Sequence, residues 1–329
     1  MKVLVVTNMY AGANTASPNQ GVFVTEQVDA LRRLPDTEVD VMTVNGFSNR
    51  LAYPASLFAL AYRVLTKKYD IVHYHFGLTA WTAPFLRVLT RAKVVITLHG
   101  SDVMGSRFLQ RVTRFSIRYC DLCIAVSDAI RNAISSRTRH CVTVPCAVND
   151  VLFMPPVGGR KKDARRRIVV FPSSPARPEK DHPLFVAAIE HLRRISDYVI
   201  EERLIDGLDR GSVRELLQQA DVLVLTSKRE GSPQTVKEAM ACALPVVSLS
   251  VGDIEQLLGG VNGCRVVRCR DPQGVAAAVA EVLDEAWSAG PARLRELGYL
   301  SADVAQRIRT LYQSELAGSR SAVTETRKP

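Results

Sequence analysis

Two glutamates eight residues apart, Glu230 and Glu238, stand in the run Asp221-Val-Leu-Val-Leu-Thr-Ser-Lys-Arg-Glu-Gly-Ser-Pro-Gln-Thr-Val-Lys-Glu-Ala-Met-Ala-Cys-Ala-Leu-Pro-Val-Val247. The pattern predicts a strand ending near Thr226, a loop carrying Glu230 and a helix over 233–242 carrying Glu238, with Ser232 as its cap and Pro233 at its first position. The first amides of that helix, around Gly231, Ser232, Gln234 and Thr235, have no partner within the helix. With the positive helix end they make a receptor for an anion such as a diphosphate. Gly231 lets such a ligand approach the backbone closely. At about 1.5 Å per residue, Glu238 lies roughly 8 Å beyond the helix start, so the two carboxylates address different parts of one extended ligand. A carboxylate can accept bonds from two vicinal hydroxyls, as on a ribose. An anion receptor flanked by hydroxyl-binding acids suits a nucleotide sugar.

The elements that must hold these residues are legible in the alternation of short β-branched runs with helical patterns, the mark of βαβ units on a parallel sheet. Strands are predicted at 2–7, 38–44, 70–75, 93–98, 121–126 and 141–145, and again at 168–171, 199–205, 221–226 and 245–250. Between them lie helices such as 25–34, where Val24, Val28 and Leu31 share a face before Pro35, and 181–195 and 212–219, the latter opened by the capping box Ser212-x-x-Glu215. Near Asn149 the alternation breaks into Phe153-Met-Pro-Pro-Val-Gly-Gly159 and a basic run. The expected organisation is therefore a first doubly wound domain over 1–157, a basic linker over 158–167, a second such domain over 168–317 ending in helices near 272–286 and 291–317, and a polar tail over 318–329. Such sheets bind ligands beyond their strand ends, so two of them in tandem are expected to face a shared cleft.

Composition excludes other classes. The 329 residues are 47% hydrophobic and 23% charged, ordinary for a globular chain of about two domains. No run reaches the roughly 18 apolar residues of a spanning helix, and the N-terminal segment lacks the features of a secretory signal, which points to the cytoplasm. Seven cysteines in a reducing compartment are thiols rather than a disulfide framework. Cys120 and Cys123 form a C-x-x-C with no second pair at zinc spacing, and His73 and His75 alternate on a strand with no third ligand nearby, so core packing is expected of both. No metal site and no cofactor is expected. The net charge of +10 is uneven: residues 1–150 hold 17 Lys and Arg against 10 Asp and Glu, 158–167 hold 6 against 1, and 168–329 hold 20 against 22. A basic first half favours an anionic partner. Arg107, Arg111, Arg114 and Arg118 repeat at helical spacing beside Phe108, Leu109, Val112 and Phe115, a pattern shared by a solvated helix and by a patch for an anionic membrane. No aromatic-interleaved basic motif indicates nucleic acid.

The segment Glu230-Gly-Ser-Pro-Gln-Thr-Val-Lys-Glu238 with its Ala-Met-Ala-Cys-Ala-Leu-Pro-Val-Val continuation resembles the Glu-x7-Glu signature of the retaining GT-B glycosyltransferases of family 4. With Val251-Gly-Asp253 it is similar to the bacterial teichuronic-acid and exopolysaccharide branch. Gly21-Val-Phe-Val-Thr-Glu-Gln27, Thr97-Leu-His-Gly-Ser-Asp102, Val126-Ser127 and Ala176-Arg-Pro-Glu-Lys180 extend the resemblance over most of the chain. It implies the GT-B fold of two Rossmann-like domains and the transfer of a sugar, with retention and without a metal, from a nucleotide sugar to a hydroxyl of a glycan or lipid-linked acceptor in cell-surface polysaccharide synthesis. In that pattern Arg177 and Lys180 hold the donor diphosphate, Glu230 and His99 contact the transferred sugar, Glu238 takes the ribose hydroxyls, and Gly21 lets the N-terminal loop approach the diphosphate. Asn19-Gln20 stand where many relatives have a glycine before Gly21, and the second domain is short. The competing readings are a nucleotide-sugar 2-epimerase of similar shape and a non-catalytic two-lobed sugar-binding protein.

Overall fold

The computed structural model describes residues 1–13, 20–46, 49–138 and 140–325. Contacts divide the chain into two units, one of Met1–Ala147 with the C-terminal helix, the other of Val148–Leu300.

In the first unit the elements are β1 (Lys2–Thr7), α1 (Val22–Arg32), β2 (Glu38–Thr43), α2 (Ala52–Thr66), β3 (Ile71–His75), α3 (Ala83–Leu89), β4 (Lys93–Leu98), α4 (Ser101–Met104), α5 (Arg107–Ser116), β5 (Leu122–Ala125), α6 (Asp128–Ile134) and β6 (Cys141–Thr143). They form a six-stranded sheet of order β2-β1-β3-β4-β5-β6 with parallel pairing throughout. All five residues of β3 are buried, because helices cover both faces of a parallel sheet.

The second unit runs β7 (Arg166–Phe171), α7 (His182–Ile195), β8 (Val199–Leu204), α8 (Arg210–Gln219), β9 (Val222–Leu225), α9 (Gln234–Ala241), β10 (Val246–Leu249), α10 (Ile254–Leu258), β11 (Cys264–Val267), α11 (Pro272–Val282) and α12 (Gly290–Glu296). Its five parallel strands lie in the order β11-β10-β9-β7-β8. α7 buries Phe185, Ala188, Ile189 and Leu192, the i, i+3, i+4, i+7 stripe of an amphipathic helix on a sheet. Both sheets reverse strand order once, between β1 and β3 and between β7 and β9. At such a reversal neighbouring connections run to opposite faces and leave a crevice beyond the strand ends.

Several expectations are corrected. The helix expected over 291–317 is two helices, α12 and α13 (Ser301–Glu325), separated where Gly298 takes φ +65°. α13 belongs to the first unit rather than the second: Val304, Ala305, Ile308 and Tyr312 are buried in one cluster with Val3, Val5 and Ile71. No proline interrupts it, and the expected tail from Gly318 is helical as far as Glu325. The basic stretch 158–167 is tied down rather than free. Arg160 donates to the carbonyls of Leu217, Gln218 and Cys242 at the ends of α8 and α9, Lys162 to that of Leu283, and buried Arg167 stacks on the Tyr198 ring at 3.7 Å. Cations at helix C-termini satisfy carbonyls that the helix leaves unpaired. Arg166 and Arg167 already belong to β7. α8 begins before the expected capping box, because the Asp209 carboxylate accepts both the amide (2.9 Å) and the hydroxyl (3.0 Å) of Ser212.

Candidate functional site

In the second unit the chemistry gathers at the β7/β9 reversal. The loop after β7 ends in a short turn, Pro178–Lys180, before Asp181, which adopts a left-handed φ of +52°. The end of β9 clasps that loop: Thr226 Oγ1 donates to the carbonyls of Lys180 (3.1 Å) and Asp181 (3.0 Å), and the Lys228 amide to that of Glu179 (2.8 Å). Arg270, just beyond β11, donates to the carbonyls of Ser227 and Thr226 and pairs with Asp181. Thus fixed, Lys180 Nζ lies 2.6 Å from Glu230 Oε1, which also accepts from Ser227 Oγ at 2.6 Å. Both side chains are nearly buried, and a charge-assisted contact of this length is among the stronger hydrogen bonds.

The loop then turns into α9. Pro233, expected at the first helical position, is the cap residue in extended geometry, and no side chain caps the helix. The Ser232 hydroxyl, expected in that role, instead accepts from Lys237 Nζ at 3.1 Å. Lys237 is fully buried, on the helix face turned from solvent. Asp253 is pushed up by burial against the opposing pull of the Lys237 ammonium and the Ser232 hydroxyl. Gln234 and Thr235 open α9. Gly252 keeps the turn close to its neighbour: its φ is +59°, and a Cβ there would lie 2.7 Å from the Gly231 carbonyl oxygen.

Glu238 is 2% exposed, and its Oε1 accepts from Arg210 Nη1 at 2.6 Å. The Arg210 guanidinium sits over the Phe153 ring at 4.6 Å. Neither glutamate points to bulk water. Arg177 is placed differently: its guanidinium is held at the surface by Glu179, with side-chain exposure of 56%, and is not brought to the Lys180–Glu230 pair.

In the first unit the β1/β3 reversal gathers histidines. His99 follows β4, and its amide donates to Asp102 Oδ2 at 2.8 Å, while the Gly77 amide donates to Oδ1 of the same carboxylate at 3.2 Å. Asp102 therefore ties together the turns after β3 and β4. Burial pushes its carboxyl up to about 6, against those two N–H donors. The His99 ring lies between Phe23 and Phe76, with Nε2 3.0 Å from His75 Nδ1 and Nδ1 3.6 Å from Cys146 Sγ. His75 stacks in turn on His73, which bonds Thr97 Oγ1 and the Tyr312 hydroxyl. Burial holds His75 down to about 3 and His73 well below its ordinary value, so both rings are neutral near pH 7. Gly21 takes φ +83°, and a Cβ there would lie 2.2 Å from the Met9 carbonyl carbon, so this position admits only glycine where the loop folds back on itself. Asn19 lies outside the described residues. The arginine stripe is exposed, with Arg118 in a short turn beyond α5. Cys120 and Cys123 are buried free thiols. Among the described residues no three His, Cys, Asp or Glu side chains form a group that could hold a metal.

Sequence reasoning missed Arg210, Lys237, Ser227 and Arg270, and it read His75 as core packing, where it is buried but also meets His99. Lys237 carried a signal, since its flanks Val236 and Ala239 are core residues, but a lysine in a helix ordinarily reaches solvent. Arg210 carried none, because its pairing with Glu238 exists only once α8 and α9 are packed.

Residues 20–152 match the family described as Glycosyltransferase Family 4, and residues 203–285 match Glycosyl transferases group 1. The two parallel α/β sheets of six and five strands are those of the GT-B fold, and the chain carries domains of the glycosyltransferase family 4 and group 1 kind. The chain is 24% identical over 292 residues to N-acetyl-alpha-D-glucosaminyl L-malate synthase of Bacillus anthracis, covering 76% of each chain. It is 27% identical over 263 residues to glycogen synthase of Mycobacterium tuberculosis, covering 66% of this chain and 60% of the relative. In fold it is similar to sucrose-phosphate synthase of Thermosynechococcus elongatus, with TM-score 0.80, 16% identity and coverage of 97% and 100% of the two chains. It is also similar to HepE of Anabaena solved in complex with UDP-glucose, with TM-score 0.71, 15% identity and coverage of 95% and 100%. Among the described residues no helix is long and apolar enough to cross a membrane.

Proposed function

We propose that the chain transfers a sugar from a nucleotide-diphosphate sugar to a hydroxyl of a glycan or lipid-linked acceptor, with retention of configuration and without a metal, in the synthesis of a cell-surface polysaccharide or related glycoconjugate. The observation that carries the reading is the meeting of Lys180 and Glu230 at the β7/β9 reversal, one turn before the N-terminus of α9. An ammonium has three donors, so Lys180 can keep Glu230 and still reach a phosphate oxygen. The first amides of α9 face the same anion. Arg177 is a second cation for it: an exposed ion pair such as that with Glu179 is worth under about 1 kcal/mol, so the guanidinium is cheaply re-aimed. These groups stabilise charge as it develops on the leaving diphosphate.

Glu230, oriented by Lys180 and Ser227, is assigned to the hydroxyls of the transferred sugar, His99 to the sugar near its reacting carbon, and Glu238 to the ribose. The departing phosphate takes the acceptor's proton as the glycosidic C–O bond breaks through an oxocarbenium-like state and the acceptor oxygen bonds the same face. The side chains then position and stabilise rather than exchange protons. HepE, solved with UDP-glucose, supports a nucleotide-sugar donor.

The test is incubation with UDP-, GDP- and ADP-sugars, following free nucleotide and the sugar by NMR. Transfer, or slow hydrolysis that Glu230→Ala removes, supports the reading, and the anomeric configuration of the product tests retention. Persistence of turnover in excess chelator tests metal independence. An isomerised sugar would assign an epimerase, and binding without turnover a two-lobed binding protein.

A further inference from the structure

Chemistry that the transferase reading does not use lies on the outer face of the first unit. α2 is apolar on both sides. Inward it buries Leu60 and Val64, while outward Leu51, Phe58, Tyr62 and Leu65 are 71%, 78%, 71% and 65% exposed. Their spacing of 7, 4 and 3 residues puts them on one face. α3 adds exposed Phe85 and Val88, and α5 adds Phe108 and Phe115. α2 and α3 touch, and both they and α5 pack on the short turn Thr79–Thr82, so the face is continuous. Between the start of α2, that turn and α5 lies a groove of about 690 Å³ lined by apolar side chains, among them Tyr53, Leu78, Trp81, Leu109 and Val112, with Arg50 also at its wall.

Cations outnumber acids around this face, where Arg87 pairs with Asp121 and Lys67 with Asp40. No Asp or Glu occurs between Asp40 and Asp70, between Asp70 and Asp102, or between Asp102 and Asp121, while Arg50, Arg63, Lys67, Lys68, Arg87, Arg91 and the four arginines of the stripe do. Among the described residues none of Arg107, Arg111, Arg114 and Arg118 pairs with a carboxylate. Exposed apolar area of this extent marks a contact surface. A second copy meeting it about a two-fold axis would bring the same cations against each other. A bilayer with anionic headgroups fits both features: basic side chains at headgroup level and aromatic and aliphatic side chains below them.

We propose that the first unit lies on an anionic lipid bilayer through α2, α3 and α5, with the hydrocarbon chain of one lipid seated in the groove lined by Trp81. This goes beyond the transferase assignment and does not depend on it.

The test uses the full chain carrying Trp287→Phe, which leaves Trp81 as its one tryptophan. The protein is sedimented with phosphatidylcholine vesicles with and without phosphatidylglycerol. Binding is expected only with the anionic lipid and is expected to weaken with salt. Replacing the four stripe arginines by Gln is expected to lower partitioning about tenfold or more. Phe58→Glu with Leu65→Glu is expected to abolish it. All six positions are exposed, so unfolding midpoints should not move. Phosphatidylglycerol with brominated chains is expected to quench Trp81 in the bound protein. No binding to anionic vesicles, or equal binding by both variants, overturns the proposal. Absence of quenching in bound protein overturns the groove's occupant. A dimer in light scattering that Phe58→Glu dissociates assigns the face to a second copy and overturns it as well.

Discussion

Replacing Arg210 by methionine should expose how α9 tolerates a carboxylate that is 2% exposed. Methionine keeps an apolar contact with Phe153 but leaves Glu238 buried without its 2.6 Å partner. Breaking a buried pair by removing one member costs about 3–5 kcal/mol, because the remaining charge is desolvated and uncompensated. That is a large share of the 5–15 kcal/mol by which a domain is stable. Removing both charges, as Arg210→Met with Glu238→Gln, should restore most of it, leaving roughly 1–2 kcal/mol, since a paired buried charge contributes little net stability. Native-state hydrogen exchange of peptides from α9 and β9 reads this locally and does not require the two units to unfold together. Nucleotide affinity separates the second role: every variant lacking the Glu238 carboxylate should bind the nucleoside diphosphate about 10-fold or more weakly, the loss of one or two charge-assisted hydrogen bonds, even where stability has recovered. A cost below about 1 kcal/mol for Arg210→Met, or a double variant no more stable than the single one, would refute the account of the pair.

Lys180→Met should weaken nucleoside-diphosphate binding by one to two orders of magnitude by calorimetry, and Lys180→Arg should recover part of it; equal affinities would remove Lys180 from the diphosphate site. Arg177→Ala should cost less than Lys180→Met in the same titration, because its guanidinium must first leave Glu179. Gly252→Ala forces a Cβ to 2.7 Å from the Gly231 oxygen at φ +59°, so it should destabilise the second unit by about 1–3 kcal/mol and raise KM for the donor. For pH, three groups oppose one another. Asp102, lifted from 3.8 to about 6, holds a proton that the unfolded chain lacks, a contribution to stability lost as pH rises through 6. His73 and His75 stay neutral while the unfolded chain protonates near 6.5, a contribution present above 6.5 and lost as pH falls. Between pH 4 and 6 the Asp102 and His75 contributions offset each other proton for proton, so the depressed His73 leaves these groups with a net loss of stability as pH falls. His75→Gln should flatten that slope and Asp102→Asn steepen it in urea titrations.

The fold was largely legible because it rests on local signals. The β-branched runs at Lys2–Thr7 and Lys93–Leu98 became strands with the expected ends, and α7 followed its apolar stripe. What failed depended on long-range partners. The stretch 158–167 looks like a linker because six cations in ten residues are ordinarily solvated, yet Arg160 and Lys162 find carbonyls from α8, α9 and the end of α11. α13 looks like the end of the second domain, yet Tyr312 is buried beside His73, more than two hundred residues earlier. β11 was missed because Cys264–Val267 is short and mixes Arg265 into its apolar pattern. At the site, residue types at fixed spacing were visible, as with Glu230 and Glu238, whereas the partners that hold them, Ser227 and Arg210, follow no spacing rule.

Those partners matter for how the second unit can receive an anion. Around the first turn of α9 each acid sits with a base: Glu230 with Lys180, Glu238 with Arg210, and Asp253 near Lys237. Unpaired, three carboxylates beside a helix start would repel a diphosphate; paired, their charges nearly cancel, and the field that remains is that of the α9 amides and of donors on Lys180 not directed at Glu230. The pairs also fix geometry before any ligand arrives, so binding need not order long side chains, each of which would otherwise lose about 0.5–1.5 kcal/mol of rotamer freedom. Glu230→Ala should therefore separate two effects. If the carboxylate served only to neutralise Lys180, its removal would strengthen diphosphate binding while leaving the transfer rate unchanged. If it also holds the sugar, diphosphate alone should bind as tightly or more tightly, while the intact nucleotide sugar loses that advantage and turnover falls at least tenfold, the loss expected for one charge-assisted contact in the transition state.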